Sequence, residues 1–312
     1  MIHTITLNPA IDKLLFLEEF KKNITNRLQY SENSLGGKGT HVSINLQSLG
    51  LENNALGIVH GRTGKEILLL LETSGVNVKF LHRNNKNENS RTNYLIIEGN
   101  GDCSTISSRG VNLNEEDIAE LITLLLQTVK EGDFVVLSGD ATNCYDPYVY
   151  NIIMNRLKDL KIKFFLDSSG STLHNCIKES PYLIKPNLDE LSALYGKELL
   201  NDEDIILAIN SLSQYNIDII AVSLGGEGSI VKTPEGIYRI KPPKINVKNT
   251  IGCGDCFLSG IIFGIAKNYS FEETLRLSTA ISAATAESTS SVGFDITRAK
   301  ELIPFVQIEK LK

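Results

Sequence analysis

Hydrophobic and polar positions along the chain follow two regimes. In the first hundred residues, short alternating runs dominate. His3 to Leu7 alternates and stops at Asn8-Pro9-Ala10, which predicts a strand and a turn. Ile11 to Phe20 predicts, in part, a second short strand. After Gly36-Gly37-Lys38-Gly39, Val42, Leu46 and Leu49 fall on one side of a helix. Asn54 to Val59 predicts a buried strand, and Lys65 to Thr73 a helix. Asn93 to Glu98 and Cys103 to Ser107 flank Gly99-Asn100-Gly101 as a hairpin.

From about residue 110 the pattern becomes regular. Helices are predicted over Glu115 to Lys130, Pro147 to Leu160, Leu188 to Tyr195 and Asp202 to Gln214. They interleave with strands over Phe134 to Leu137, Lys163 to Leu166, Tyr182 to Lys185 and Ile219 to Leu224. A hairpin follows from Ser229 to Ile240, then helices over Asp255 to Lys267, Phe271 to Ser288 and part of Arg298 to Phe305. Such alternation predicts an α/β fold with a mostly parallel central sheet and helices on both faces. The β segments near 11–20 and 91–107 break the rhythm. They predict a small β lid over the sheet's carboxyl edge, where open α/β folds bind ligands. No repeat, low-complexity tract or long linker interrupts the chain, so 1–312 is expected to be one domain with the lid segments inserted.

Composition narrows the partners. A net charge of −6 without any Lys/Arg run argues against nucleic acid. The longest apolar runs, such as Phe257 to Ala266, are too short to span a bilayer. Met1 to Thr6 lacks the basic region and apolar core of a signal peptide, and five scattered cysteines suggest reduced thiols. A cytoplasmic location is the expectation.

The richest chemistry lies at Asn249-Thr250-Ile251-Gly252-Cys253-Gly254-Asp255. Apolar residues at Phe257, Ile261, Ile262 and Ile265 predict a helix whose first turn holds Asp255 and whose entry loop is Gly252-Cys253-Gly254. Backbone N–H groups at such an entry converge on one point, with the positive end of the helix dipole behind them. A carboxylate beside an anion held there has the geometry of a general base in phosphoryl transfer. Ordinary helix-start chemistry accounts for the same residues without any function. Cys253 and Cys256 have C-x-x-C spacing, but zinc needs four ligands and none of the five histidines is near in sequence.

Other signals are individually weak. Gly64-Lys65 lacks the Ser or Thr of a Walker loop, and Gly252-x-Gly254 comes too late for a Rossmann fingerprint. Gly36-Gly37-Lys38-Gly39 is either a plain turn or a close approach to a polyol with one cation beside it. Asn187 with Glu190 is either a capping box or a pair aimed at a Mg²⁺ shell through water. Ser223-Leu224-Gly225-Gly226-Glu227-Gly228 is a turn into a hairpin or a backbone seat for phosphates.

In combination these segments resemble the ribokinase-like (PfkB-type) carbohydrate kinases over essentially the whole chain. The resemblance rests on Thr6-Leu7-Asn8-Pro9-Ala10-Ile11-Asp12, Gly36 to Gly39, Ser90-Arg91-Thr92-Asn93 and Leu166-Asp167-Ser168-Ser169-Gly170. Ile184 to Glu190, Val222 to Gly225 and Gly252 to Asp255 complete the order. The most similar branch contains 1-phosphofructokinase and tagatose-6-phosphate kinase. The resemblance implies a ribokinase-like fold. It implies Asp255 as catalytic base, with Gly252, Cys253 and Gly254 as the anion hole. Asp12, Gly36, Gly37, Lys38, His41 and Arg91 would hold a sugar phosphate. Lys185, Asn187, Ser223, Gly225, Gly228 and Asn249 would bind ATP, with Asn187 and Glu190 placing Mg²⁺ through water. It also implies a homodimer through the lid.

The implied reaction is phosphorylation of a ketohexose phosphate, fructose 1-phosphate first and tagatose 6-phosphate as the alternative. A catalytically silent sugar-phosphate sensor is the alternative from another class. This sequence departs from the family pattern at Cys253, where Ala or Ser is usual, and at His41, where Asn is usual. Ser138-Gly139-Asp140 also replaces a family turn, and Asp140 is given no role.

Overall fold

The computed structural model describes residues 1–85, 87–139 and 141–311; Asp140 lies outside them. Chain order begins β1 (Ile2–Thr6), β2 (Ala10–Leu17), β3 (Tyr30–Gly36), α1 (Lys38–Ser48), β4 (Asn53–His60) and α2 (Gly61–Thr73). It continues β5 (Asn77–Arg83), β6 (Arg91–Glu98), β7 (Cys103–Ser107), α3 (Glu115–Thr128), β8 (Phe134–Ser138) and α4 (Val149–Leu157). Next come β9 (Lys163–Asp167), α5 (Gly170–Cys176), β10 (Leu183–Ile184), α6 (Leu188–Tyr195), α7 (Asp202–Ser211) and β11 (Ile219–Ser223). The last are β12 (Ser229–Thr233), β13 (Gly236–Lys241), α8 (Cys253–Ala266), α9 (Phe271–Ala286), α10 (Ile296–Leu302) and β14 (Gln307–Lys310).

Among the described residues, ten strands form one sheet in the order β14-β13-β12-β11-β10-β9-β8-β1-β4-β5. From β5 to β11 every pairing is parallel, and the β11-β12-β13-β14 edge is antiparallel. Both faces of the parallel part are covered, and the strand residues alternate between two cores. Ile5, Val135, Leu137 and Leu166 pack with Ile118, Ile153 and Ile206 of α3, α4 and α7. Ile2, Val136 and Phe165 pack with Val42, Phe257, Ile261 and Ile281 of α1, α8 and α9. The mostly parallel α/β architecture expected from the alternating pattern is therefore present.

A second sheet, in the order β3-β2-β6-β7, stands apart from the first. Its strands β2, β6 and β7 fall on the segments expected to form a lid. Strand β3 was not anticipated, because Tyr30, Ser31, Glu32 and Asn33 are all exposed and give no alternation. Strands β5 and β14 and helix α5 were also missed: β5 and β14 have half-buried or exposed positions throughout, and α5 has only seven residues. Predicted helix ends over-ran where the chain tightens into 3₁₀ turns, at Lys158–Leu160 after α4 and Leu212–Tyr215 after α7. No helix among the described residues is long and apolar enough to cross a membrane.

Candidate active site

Helix α8 begins two residues earlier than its apolar spacing predicts. Its N-cap is Gly252, at φ 78 and ψ −10, with Cys253 and Gly254 already inside the first turn. Only glycine fits at 252: its φ lies in the left-handed region, and a Cβ there would stand 2.2 Å from the Ser291 carbonyl oxygen. The first i→i−4 bond of the helix runs from the Cys256 amide to Gly252 O at 2.9 Å. The amides of Gly254 and Asp255 therefore have no intrahelical acceptor. Gly252→Ala is expected to lower kcat sharply and to cost about 1–3 kcal/mol of stability through forced backbone strain. Parallel thermal melts and activity assays check both effects, and an unchanged melt would show that the turn can relax.

Asp255 projects from this turn and is 6% exposed. Its Oδ2 lies 2.8 Å from His41 Nδ1, and His41 Nε2 lies 2.7 Å from Leu35 O. Both ring nitrogens of His41, expected to face the substrate, are thus held by protein groups. Lys38 comes from the first turn of α1. Its Nζ donates to Asp167 Oδ1 at 3.0 Å, while Lys185 Nζ stands 3.3 Å from Asp167 Oδ2. Asp167 ends β9 and is fully buried between the two cations. Burial alone would raise its pKa, yet Lys185 and Lys38 hold the carboxyl below its usual range. Burial works against the Lys38 charge as well, and Asp167 and Asp255 outweigh it, holding the ammonium above the ordinary lysine range.

These groups line a cavity of about 310 Å³ with Arg91, Ile251 and Gly254. Arg91 opens β6 and donates from Nε to Asn8 O at 3.0 Å. It also lines, with Lys38, Ser138 and Ser169, an adjoining polar recess of about 110 Å³. Gly37 lines both spaces, whereas Asp12 and Gly36 line neither. Asp12 accepts a hydrogen bond from Asn93 Nδ2 at 2.7 Å, and a Cβ at Gly36 would collide with Asp12 Oδ1 at 2.1 Å. Asp12 and Gly36 are therefore packed against each other in the lid's base.

A larger and more apolar cavity, of about 640 Å³, lies on the other side of Gly254. Ser223, Gly225, Gly228, Val247, Thr250 and Ala283 contribute to its wall. Cys253 faces this cavity, and its Sγ lies 3.9 Å from Asn249 O. Burial, with Asp255 adding to it, pushes the Cys253 thiol up to about 11, and burial raises Cys256 as well. Both thiols are neutral at ordinary pH, which leaves them poor metal ligands and poor nucleophiles. Asn249 shapes the loop: its side chain accepts from the Ile251 amide and donates to Thr289 O and Ser290 O.

Asn187 caps α6, and with Glu190 it forms a reciprocal capping box at 2.8 and 2.9 Å. The cap uses one oxygen of each side chain. The second Glu190 oxygen remains, and its charge adds to the field that holds the Lys38 proton. Among the described residues no group of three or more His, Cys, Asp or Glu side chains is placed to hold a metal ion. Hard oxygen donors acting through water, rather than a closed cage, are what Mg²⁺ usually receives from a protein. Glu190 has one such oxygen to spare, but neither it nor Asn187 lines any of these cavities.

Two residues escaped functional assignment in the sequence. Asp167 was visible as an acid ending a buried apolar strand, but its two lysine partners are not near it in sequence. Asn93 sits in a quoted motif, yet its bond to Asp12 depends on the parallel β2-β6 pairing.

Comparison with known proteins shows the family. The family model for "pfkB family carbohydrate kinase" matches residues 5–296. The chain belongs to the pfkB family of carbohydrate kinases. This pfkB kinase is accordingly a phosphotransferase acting on a sugar. It is 30% identical to the 1-phosphofructokinase of Bacillus subtilis over 311 residues, covering 100% of both chains. It is 31% identical to the tagatose-6-phosphate kinase of Staphylococcus epidermidis over 315 residues, again covering 100% of both. The structure of Escherichia coli phosphofructokinase-2 with substrates and products superposes with a TM-score of 0.92 at 24% identity, covering 97% of this kinase and 98% of that chain. That likeness shows the ribokinase-like fold.

Proposed function

We propose that the chain transfers the γ-phosphoryl group of ATP to a hydroxyl of a ketohexose that already carries a phosphate, most favourably the 6-hydroxyl of fructose 1-phosphate. One observation carries the reading: two cavities of different chemistry meet at Gly254, and Asp255 borders the polar one. The apolar cavity suits a nucleoside, the polar one a sugar phosphate. The transferred group would then pass over the N-terminus of α8.

In this reading Asp255 takes the proton of the attacking hydroxyl. The Gly254 and Asp255 amides stabilise the equatorial oxygens of the group in flight, with Gly252 and Cys253 setting the turn. A Cβ at Gly254 would stand 3.3 Å from Lys185 Nζ, so that cation is beside the same point. Lys38 and Arg91 hold the substrate's existing phosphate, with Ser138 and Ser169 in the adjoining recess. Asp12 orients the lid over the sugar. Ser223, Gly225, Gly228 and Asn249 shape the nucleotide side. Mg²⁺ bound with ATP supplies charge neutralisation, and Asn187 and Glu190 would hold its water shell.

Tyr94 and Ile106 pair across β6 and β7 and stand exposed on one face of the lid sheet, which supports a homodimer formed through it. Five free thiols fit a reducing, cytoplasmic location.

The deciding experiment measures ADP release with Mg-ATP, ranking fructose 1-phosphate, tagatose 6-phosphate, fructose 6-phosphate and fructose by kcat/KM. Fructose 1-phosphate should lead. Preference for tagatose 6-phosphate would move the substrate and keep the mechanism. No turnover with any of them would favour a silent sensor. Arg91→Ala should raise KM for the phosphosugar by about 10- to 100-fold, the loss of one charge-assisted contact of about 1.5–3 kcal/mol, and leave KM for ATP nearly alone. An equal rise for both substrates would remove Arg91 from the phosphate end.

A further inference from the structure

The surroundings of His41 specify a proton count. Leu35 O is a carbonyl and can only accept, so the 2.7 Å contact requires a hydrogen on Nε2. An ionised Asp255 can likewise only accept, so its 2.8 Å contact requires a second hydrogen, on Nδ1. Neutral imidazole carries one. The contact therefore holds either an imidazolium beside a carboxylate or a neutral ring beside a protonated acid.

The charges facing the pair select between these. Asp255 sits in the first turn of α8, where the helix dipole favours an anion. Lys38 on α1, Lys185 after β10 and Arg91 on β6 line the same cavity and favour that anion too. Asp12 on β2 acts on the ring itself, favouring its cation, and Asp167 on β9 is already engaged by the two lysines. Burial opposes the charge on His41, and the bond to Asp255 with the two aspartate charges outweighs it, so the imidazolium persists above the ordinary histidine range.

We propose that His41 is a positioning residue for phosphoryl transfer: as an imidazolium it pins Oδ2 of Asp255 and leaves Oδ1 to receive the proton of the sugar hydroxyl. This rests on Asp255 being the base. In the step, the hydroxyl O–H bond breaks and its proton goes to Oδ1. The sugar oxygen bonds to the γ-phosphorus, and the bond from that phosphorus to the β–γ bridging oxygen breaks, releasing ADP. His41 keeps both hydrogens throughout, and Asp255 returns its proton to water afterwards. Because the raised His41 pKa is a folded-state value, the arrangement is complete below it and is lost as pH rises through it. Above that point the ring has one hydrogen for two acceptors, so one of the two contacts is lost and the carboxylate no longer has a cation beside it.

The test pairs pH profiles with nitrogen-15 NMR of the histidine ring, using the full-length protein. In the wild type, kcat should fall about tenfold per pH unit on the alkaline limb. In His41→Asn a donor remains that does not titrate, so that limb should disappear or move well upward. His41→Ala should lose kcat by about 10- to 100-fold at all pH values, with much of the loss recovered by Asn and little change in KM. NMR at neutral pH should show hydrogens on both His41 nitrogens, and Asp255→Asn should lower the pH at which one is lost. A ring carrying only one hydrogen at neutral pH, on either nitrogen, or matching alkaline limbs in wild type and His41→Asn, would overturn the proposal. Persistence of turnover in Asp255→Asn would instead remove the base assignment, a failure visible separately from the ring's protonation. Should His41→Ala not fold, the Asn profile and the NMR spectrum still decide.

Discussion

Asp255→Asn should fold normally and lose about 10³- to 10⁴-fold in kcat, the upper part of the range for a positioned general base. Asn has nearly the same shape, and its side-chain oxygen can still accept from His41 Nδ1, so the buried contact at 2.8 Å has a replacement. What it cannot do is take a proton from a sugar hydroxyl. Since that proton moves only as the new bond forms, kcat and kcat/KM should fall together while KM for both substrates stays close to its wild-type value. Stopped-flow or quenched single-turnover assays, with a thermal melt as folding control, check this. Near-normal turnover in a folded variant would end the base assignment and leave only electrostatic positioning to explain the site.

The second large effect is expected at Asp167. It is fully buried, with Lys38 Nζ at 3.0 Å and Lys185 Nζ at 3.3 Å, and Lys185 is itself 5% exposed. Asp167→Asn keeps a hydrogen-bonding oxygen but leaves two neighbouring ammonium groups without their anion. Breaking a buried pair in this way costs about 3–5 kcal/mol, more than the gain from the original pair itself. The sign of its pH dependence is fixed. Asp167 titrates below its unfolded value, so its contribution is full above that value and is lost as pH falls through the lower folded one. The stability gap between wild type and Asp167→Asn should therefore be widest near neutrality and narrow under acid. KM for sugar phosphate and for ATP should both rise, because both lysines lose their anchor. Denaturant titrations at several pH values, alongside steady-state kinetics, provide the check; equal midpoints at neutral pH would show that other groups neutralise the lysines.

Much of the scaffold was legible because burial and periodicity coincide in it. Val135, Val136 and Leu137 are apolar throughout and face alternate cores, as a two-sided parallel strand demands. The missed elements are those whose residues carry no such signal. Tyr30 to Asn33 pair with β2 through their backbones while all four residues stay exposed. The start of α8 was misplaced for a similar reason, since glycine and cysteine there contribute no apolar stripe and the helix is set by the turn at Gly252.

The candidate site divides along the same line. Residues that act through their own backbone or sit within a short motif, such as Gly252, Gly254 and Asp255, could be read directly. Residues defined by a distant partner could not. His41 lines the cavity, where a substrate contact was expected of it, but nothing local reveals that Asp255, 214 positions later, takes its Nδ1. Asp167 had no role because Lys38, 129 positions earlier, gives it one.

Those separations bear on how the chain acquires its structure. Strand β1 lies inside the sheet between β4 and β8, so one side waits for residue 53 and the other for residue 134. Contacts this far apart make for slow folding, because a long loop must close before any of them forms. During synthesis the N-terminal half must hold Lys38 without Asp167 until the chain passes its midpoint, and His41 without Asp255 until its last quarter emerges. The half-made kinase thus carries a charged, solvent-open cleft in place of its later buried one; the arrival of α8 assembles the chemistry, and α9 and α10 then complete the core.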